Sequence, residues 1–431
     1  MDIWFLCPST NEEWESVMRG LEKSQIKYVI ASAILVSPEP SSRVLNFIFL
    51  SIAFSCLTFF LFIGFKSMCY AWNDLLTLVE LLHAYTFAYA VWFLLLVHYS
   101  MKMPILHEMF RMIDAGIFEY KTDIDEDKNN ELRDTAKFHS NMFQKVFHLM
   151  CAGVFVIICV IPPVILKLFG VDGRGRVEEI DYIFAVPTWF PFNSKTFLGF
   201  CAAYLLLFIQ VGLIFMYIAI LVPFIVFGLL EISTEYNILK RSILSLEPRA
   251  LEKYNSGSGL REKDVQLLRD DAFYEQCVQE CLKENILHHI EILRFFNLYQ
   301  DLTSTIYGVV IGLSMAILAC LSLVLTKMDL FSFAAVKFGV FFIIELIAVF
   351  GYCVMGTVLT EVSKEIPKAL YNCPWYNVSE NNRRTLKIFQ LNSEISIEIK
   401  GNGLFVIDLN LFVQIVQTTY SIFNIFASFE K

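Results

Sequence analysis

Charge is scarce in this chain: Asp, Glu, Lys and Arg together make up 18% of its 431 residues, against an apolar share of 56%. So few charges cannot cover a soluble protein of this size. The net charge of −9 sits in the segments between apolar runs, and no basic face of the kind that nucleic acid requires is present. There is no glycine-rich phosphate loop, no nucleophile elbow and no His-Glu zinc motif, so catalysis has no support. Histidine is rare, at 7, and His288-His289 with Glu291 nearby is one pair on a charged helix. Membrane di-iron chemistry needs several such clusters on one side of the bilayer, so neither a metal nor a cofactor is expected. Cysteine is odd in number, at 11, and only Cys69 falls in a segment placed outside the cell below. A disulfide framework is therefore not expected, and Cys277 and Cys281, one helical turn apart, read as small packing residues. The opening MDIWFLCPSTNEEWESV lacks the basic flank and apolar core of a cleaved signal peptide, so insertion is expected to start at the first spanning helix.

What is abundant is apolar: 41 Phe and a mean hydropathy of +0.56 require lipid as solvent. Seven runs read as spanning helices, at 44–65, 75–99, 146–169, 196–229, 303–325, 331–359 and 403–428. Each is long enough, at about 1.5 Å per residue, to cross a hydrocarbon core of about 30 Å. Of the 34 Lys and Arg, 26 lie in the N-terminal segment and the second, fourth and sixth connections, while 6 lie in the odd connections and the tail. Lys167 and Lys337 sit near span ends, where they can snorkel. The positive-inside bias places the N-terminus in the cytoplasm and the C-terminus outside. The expected fold class is thus an all-α membrane protein of seven transmembrane helices, oriented opposite to a G-protein-coupled receptor. The sequon Asn377-Val378-Ser379 then faces the cytoplasm and stays unmodified.

This divides the chain into a cytoplasmic segment 1–43, helices one to four within 44–229, a cytoplasmic connection with an anchor helix at 230–302, helices five and six within 303–359, a second cytoplasmic segment 360–402, the last helix 403–428 and a tail 429–431. Within the anchor region, 260–307 contains neither Gly nor Pro, and Val278, Leu282, Ile286, His289, Leu293 and Phe296 recur at helical spacing. Asn255 to Gly259 before it reads as a flexible linker. Thr385 to Ser393 reads as a short amphipathic helix and Glu394 to Lys400 as an extended strand, before Gly401-Asn402-Gly403 breaks the chain into the last span. The apolar faces of these cytoplasmic segments need cover, either from a second copy or from within one subunit.

The last span carries Asn410, Gln414, Gln417, Ser421, Asn424 and Ser428 at spacings of four and three, which puts them on one helix face. Amides and hydroxyls are costly against lipid, so the stripe meets either water in a conduit or another helix. Glu80, His83 and Glu345 are ionisable groups at membrane depth, read either as functional or as structural pairs. Pro162-Pro163 and Pro223 are expected to kink the third and fourth spans. The outer halves of the spans contribute His83, Phe87, Phe155, Ile158, Cys159, Phe200, Tyr204, Ile317, Leu321, Phe338, Phe341 and Phe342, an apolar set with few polar groups that fits a small-molecule pocket between helices. In a chain so rich in Phe, ordinary packing would look the same.

The segment containing Trp375-Tyr376, Arg383-Arg384, Leu386, Gly401 to Gly403, Asp408, Phe412 and Thr418-Thr419-Tyr420-Ser421-Ile422-Phe423 resembles the C-terminal signature of insect odorant receptors. The run Pro187-Thr188-Trp189-Phe190-Pro191-Phe192 and the helix ending His288-His289-Ile290-Glu291-Ile292-Leu293 are also similar to that family. The likeness covers nearly the whole chain, with its specific motifs concentrated in the last ~60 residues. It implies a subunit of a tetrameric, ligand-gated, non-selective cation channel in a sensory-neuron plasma membrane, assembled with a co-receptor. A volatile compound would sit in the outer-half pocket, and the last helix of each subunit would line a central pore surrounded by membrane lipid.

By motif position the pore and gate would involve Thr419, Phe423, Asn424, Phe426 and Ala427, with the co-receptor's hydrophobic gate at Phe423 and Ala427 and its pore Gln at Phe426. This conflicts with the polar stripe of Gln417, Ser421 and Asn424, because both faces cannot line one narrow pore. The resemblance sets the gate, and the stripe is then expected to bond neighbouring spans, with Asn424 and Ser428 toward an outer vestibule. Gustatory receptors of the same superfamily end in Gln-Phe where Phe426-Ala427 stand here, and the co-receptor has a longer fourth connection, so a ligand-tuning odorant receptor fits best. The rivals are a gustatory-type channel, a proton-coupled transporter using Glu80 and Glu345, for which no internal repeat is found, and a metabotropic receptor, which the inside N-terminus opposes.

Overall fold

The computed structural model describes residues 11–24, 40–98, 102–121, 124–160, 164, 168, 175–184, 186–258, 271–326 and 333–428. Helix α1 spans Asn11–Ser24, α2 Pro40–Tyr70, α3 Leu75–Val97, α4 Met103–Ala115 and α5 Glu126–Phe155, the last continuing as a π-helical turn over Val156–Val160. Then come α6 (Phe197–Leu244), α7 (Leu246–Ser258), α8 (Ala272–Thr326), α9 (Phe333–Ser363), α10 (Glu365–Asn372), α11 (Glu380–Ser393) and α12 (Leu409–Ser428). Five of these, α2, α3, α6, α8 and α9, are long and apolar enough to cross a membrane. The other two expected spans fall on α5, whose outer part runs out of the described residues, and on α12. Pro162-Pro163 lie outside the described residues, whereas α6 passes through Pro223 without interruption.

Sequence sets the helix starts. Asp74 caps α3 by accepting from the Thr77 amide at 3.3 Å, and Thr196 caps α6 by accepting from the Gly199 amide at 3.1 Å. Helix α6 has 48 residues and α8 has 55, so they extend about 72 and 82 Å. That is more than twice a bilayer core of about 30 Å. The surplus forms the anchor, in which the lower halves of α6 and α8 pack with α7, α10 and α11. Two sequence boundaries need correction here. The linker expected at Asn255 to Gly259 is helical as far as Ser258, and α8 starts at Ala272 rather than at Leu260, with 259–270 outside the described residues.

The anchor core is polar as well as apolar. Arg249, 1% exposed, binds Glu284 and Asn285 of α8 and Ser242 of α6, and its guanidinium lies 4.4 Å over the Tyr120 ring. Beside it, His288 Nε2 pairs with Glu235 at 2.9 Å, Nδ1 meets the Tyr120 hydroxyl at 2.7 Å, and Arg133 donates to Glu235 at 3.1 Å. The histidine pair singled out in the sequence is therefore structural. His288 ties α8 to α6, while His289 packs against Phe389 and Tyr236. Among the described residues no group of His, Cys, Asp or Glu is placed to hold a metal.

Beyond α11 the chain is extended, as its alternation predicts: Ile397 and Ile399 are buried, and Glu398 and Lys400 are exposed. Lys400–Gly401 (β1) then pairs antiparallel with Phe405–Val406 (β2) around a turn that takes Asn402 to φ 50° and Gly403 to φ 70°. This hairpin occupies the residues assigned from sequence to the start of the last span, so α12 begins six residues later than the boundary at Gly403. Asp408 caps it, accepting from the Leu411 amide at 2.8 Å.

Two outcomes test the anchor. Arg249→Leu strands buried Glu284, and the loss is expected to be about 3 kcal/mol, read as a lowered Tm of the purified protein; an unchanged Tm contradicts the network. Acid acts in the same place. Burial, with help from the charges of Arg111 and His288 respectively, lowers His107 and His289 to about 4. The unfolded chain takes up protons near pH 6.5 that these native rings refuse, so each costs about 3 kcal/mol as pH falls from 6.5 to 4. Glu231, raised to about 7 by burial and by Glu235, is relieved on protonation over a similar range and offsets one of the two. Burial works to raise Glu235, but His288 and Arg133 hold it low, which adds a loss below about pH 4.5. A Tm that falls steadily from pH 7 to pH 4, less so in His289→Phe, is the expected result.

Candidate functional site

The expected pocket residues fall into two clusters at the ends of the spans away from the anchor. In the first, between α3, α8 and α9, the His83 ring stacks on Phe341 with centroids 4.5 Å apart, and Phe87 meets His83 edge-on at 5.4 Å. Phe338 stands edge-on to Phe341 at 6.4 Å, and Ile317, Leu321 and Phe342 close the group around Val79. Aromatic pairs in these geometries add to simple burial, so the cluster joins three spans through rings.

The second cluster lies between α5, α6 and the loop before α6. Phe155 packs edge-on to Phe208 at 5.1 Å, and Phe200 stacks with Phe184 at 5.5 Å and with Tyr204 at 6.1 Å. Cys159, Tyr204 and Phe208 border a void of about 10 Å³, no larger than a single water needs. The side chain of Ile158 lies outside the described residues. Sequence reasoning missed Phe184 and Phe208. Phe208 is two turns beyond Phe200 on the same face of α6, a helical spacing legible beforehand, whereas Phe184 comes from a loop. That loop is fixed by its own bonds: Asp181 and Thr188 exchange backbone hydrogen bonds, Ser194 donates to Asp181 at 2.9 Å, and the Trp189 amide donates to Ser67 of α2 at 2.8 Å.

A larger cavity, about 90 Å³, lies nearer the anchor, where α3 gives way to α4. Its walls come from α3, α4, α6 and α8, and none of its residues was expected from sequence. Within the spans, Glu345 is 5% exposed and accepts a hydrogen bond from Ser314 of α8, so it has a structural partner across the α8–α9 seam.

Helix α12 packs against α8 and α9 through Leu411, Ile415 and Thr419, which recur every four residues and are buried. The polar stripe is on the far side: Asn410, Gln414, Gln417, Ser421 and Asn424 are all exposed. Among the described residues no stripe side chain bonds another span; Ser421 donates to the Gln417 carbonyl of its own helix and Asn410 to Asp408. The expected bonding of the stripe to neighbouring spans is therefore not found among the described residues. Thr419, at 6% exposed, sits on the inner seam and not on a face open to a conduit. Phe423 lies between the two faces, at 36%. The side chains of Phe426 and Ala427 lie outside the described residues.

The model of the 7tm Odorant receptor family matches residues 74–420. The chain belongs to this family of odorant receptors. Among curated relatives, the receptor is 28% identical to Odorant receptor 33b of Drosophila melanogaster over 94 residues, 22% of this chain and 25% of that protein. It is 26% identical to Odorant receptor 33a of the same fly over 151 residues, 34% of this chain and 39% of that one. To the Odorant receptor coreceptor of Aedes albopictus it is 23% identical over 182 residues, 41% and 36%. The matched stretch thus spans roughly a quarter to two fifths of each relative's length. The solved structure of the insect olfactory receptor OR5 from Machilis hrabei in complex with eugenol superposes with a TM-score of 0.72, covering 97% of this chain and 100% of that one at 11% identity. The all-α membrane fold expected from sequence is therefore that of the insect olfactory receptors, and the receptor is not an enzyme.

The packing of the first cluster generates a test. Leu321→Ala, at a fully buried position, leaves a hole between α3, α8 and α9 and is expected to cost about 3 kcal/mol. A small apolar volatile such as benzene should recover part of the lost Tm by filling it; a variant as stable as the parent shows that the cluster is not close-packed.

Proposed function

We propose that this receptor is a subunit of a ligand-gated, non-selective cation channel that binds a volatile organic compound and opens a central pore together with a co-receptor. The observation that carries the reading is the polar face of α12, exposed on the side away from the described helices it packs on. Amides on a membrane helix need water or a partner, and a conduit shared by several subunits supplies water. The orientation is the one given by the positive charges, with the N-terminus and anchor in the cytoplasm and the C-terminus outside, in a sensory-neuron plasma membrane. The exposed apolar residues of the anchor, including Ile290, Ile388 and Leu391, suit contact between subunits of a tetramer.

The volatile enters the outer aromatic clusters from outside or from the bilayer. Its tighter binding to the open state shifts α3, α6, α8 and α9, and α12 moves with the last two because its inner seam is packed on them. Phe423 and Asn424 are neighbours about 100° apart on the helix. Rotation of α12 by that order replaces a dewetting constriction near Phe423 and Ala427 with Asn424 and Ser421, which needs no charged filter and gives weak ion selectivity.

Whole-cell recording of this chain, with and without an insect odorant co-receptor and under a panel of volatiles, is the first experiment. Odour-evoked cation current in the pair, independent of G-protein signalling, supports the reading; a G-protein-dependent response overturns it. For the pore, Ser421→Cys and Asn424→Cys should be modified by a water-soluble thiol reagent faster during odour than before it, measured against the unsubstituted channel. Faster modification of Leu411→Cys or Ile415→Cys instead would overturn the assigned face.

A further inference from the structure

The 90 Å³ cavity beside the anchor is not part of either outer cluster and is unlike them in chemistry. Aliphatic and aromatic side chains from four helices make nearly all of its wall, among them Leu95, Leu106, Ile220 and Phe224. His98, Lys102 and Thr305 line it where α3 stops and α4 starts, and Tyr217 of α6 is the other residue with a polar side-chain group in its wall. Among the described residues no acidic side chain lines it. Lys102 is held in place by donating to the Asp301 backbone carbonyl at 2.6 Å, and among the described residues no carboxylate lies within 4 Å of its ammonium. Leu94, Leu221 and Ile306 are only half-buried, so the wall is open on one side to the surroundings of the helices.

An apolar slot with a fixed cation at one end matches an amphiphile with a negative head. We propose that this cavity binds an acyl chain of an anionic phospholipid, with Lys102, assisted by His98 and Thr305, holding the headgroup at the anchor end of the spans. A purely apolar volatile would leave the ammonium without a counterpart, whereas an anionic lipid satisfies both ends of the site. In the orientation proposed above this is the cytoplasmic leaflet, where anionic lipids concentrate. The site joins α3 and α6 to α8 just below their outer contacts, so its lipid packs against helices that also form the odorant clusters.

The test uses the full-length receptor, co-expressed with the co-receptor where assembly needs it, in nanodiscs that present both leaflets alike, so that the result does not depend on the orientation reading or on channel activity. Phosphatidylserine and phosphatidylcholine carrying the same diazirine-tagged acyl chain are crosslinked in parallel and the adducts mapped by mass spectrometry. Phosphatidylserine should label the walls around Leu94, Leu221 and Ile306 about fivefold more than phosphatidylcholine, since one positive charge at a membrane surface is worth about that factor. Lys102→Gln should remove the difference, Lys102→Arg should keep it, and Leu221→Trp should block labelling of the walls by both lipids while leaving labelling elsewhere intact. Equal labelling by the two lipids, indifference to Lys102→Gln, no adducts at these walls, or displacement of the adducts by an uncharged volatile would each overturn the proposal.

Discussion

Two helices far longer than a bilayer is thick set the terms for the rest of this structure. Because α6 and α8 run without a break from the aromatic clusters to the anchor, the same rods border both those clusters and the polar core at the other end. Rods that long must be held at the lower end, where no lipid presses on them. The buried pairs of Arg249 with Glu284 and His288 with Glu235 do this, tying α7 and α6 to α8, together with the Ser242–Asn285 bond between α6 and α8. Buried ion pairs add little net stability compared with apolar packing, but each is intolerant of losing one partner, and such a network fixes which face of α8 meets α6.

The hairpin between α11 and α12 follows from that arrangement. Gln300 of α8 holds the Lys400 backbone from both sides, accepting at 3.0 Å and donating at 2.6 Å, and Ser304 one turn on accepts from the Asn402 amide. Two glycines admit it: a Cβ on Gly308 would lie 2.4 Å from the Asn402 side-chain amide, and one on Gly356 would lie 1.9 Å from the Ile407 carbonyl. The start of α12 is therefore fastened to both α8 and α9. The Leu409 amide adds a hydrogen bond to Thr357 of α9 at 3.0 Å, so the last helix is held to its two neighbours by hydrogen bonds as well as by side-chain packing.

Much of this was legible in the sequence, for reasons that differ between parts. Apolar run length and the bias of Lys and Arg specify spans and connections, because lipid enforces both. The alternation of Ile395 to Ile399 gave the extended segment, since a strand's two faces meet different surroundings. The hairpin escaped notice because Leu404, Phe405 and Val406 are apolar and extend the hydrophobic run of the last span; composition does not register that Asn402 and Gly403 turn the backbone back onto Gly401. The outer residues were chosen for lying at a common depth, and depth does not tell which helices are neighbours. His83 and Phe341 meet, whereas Phe155 and Phe200 belong to another group. The cavity at Lys102 had no signature at all, being assembled from four separate stretches of ordinary apolar residues.

The last helix shows what periodicity can decide and what it cannot. Its spacing places six polar residues on one face, but spacing is silent on whether that face looks inward or outward. The structure resolves the ambiguity through a second period, Leu411, Ile415 and Thr419, which packs on α8 and α9 and so turns the amides away. A helix this polar on one side is a poor neighbour for hydrocarbon, since every exposed amide there forfeits its hydrogen bonds to water. Helix α12 is thus unsuited to a lone subunit in a bilayer. In the proposed channel, assembly around a shared aqueous axis removes that cost for all subunits at once, so the proposed pore and the proposed assembly answer a single requirement.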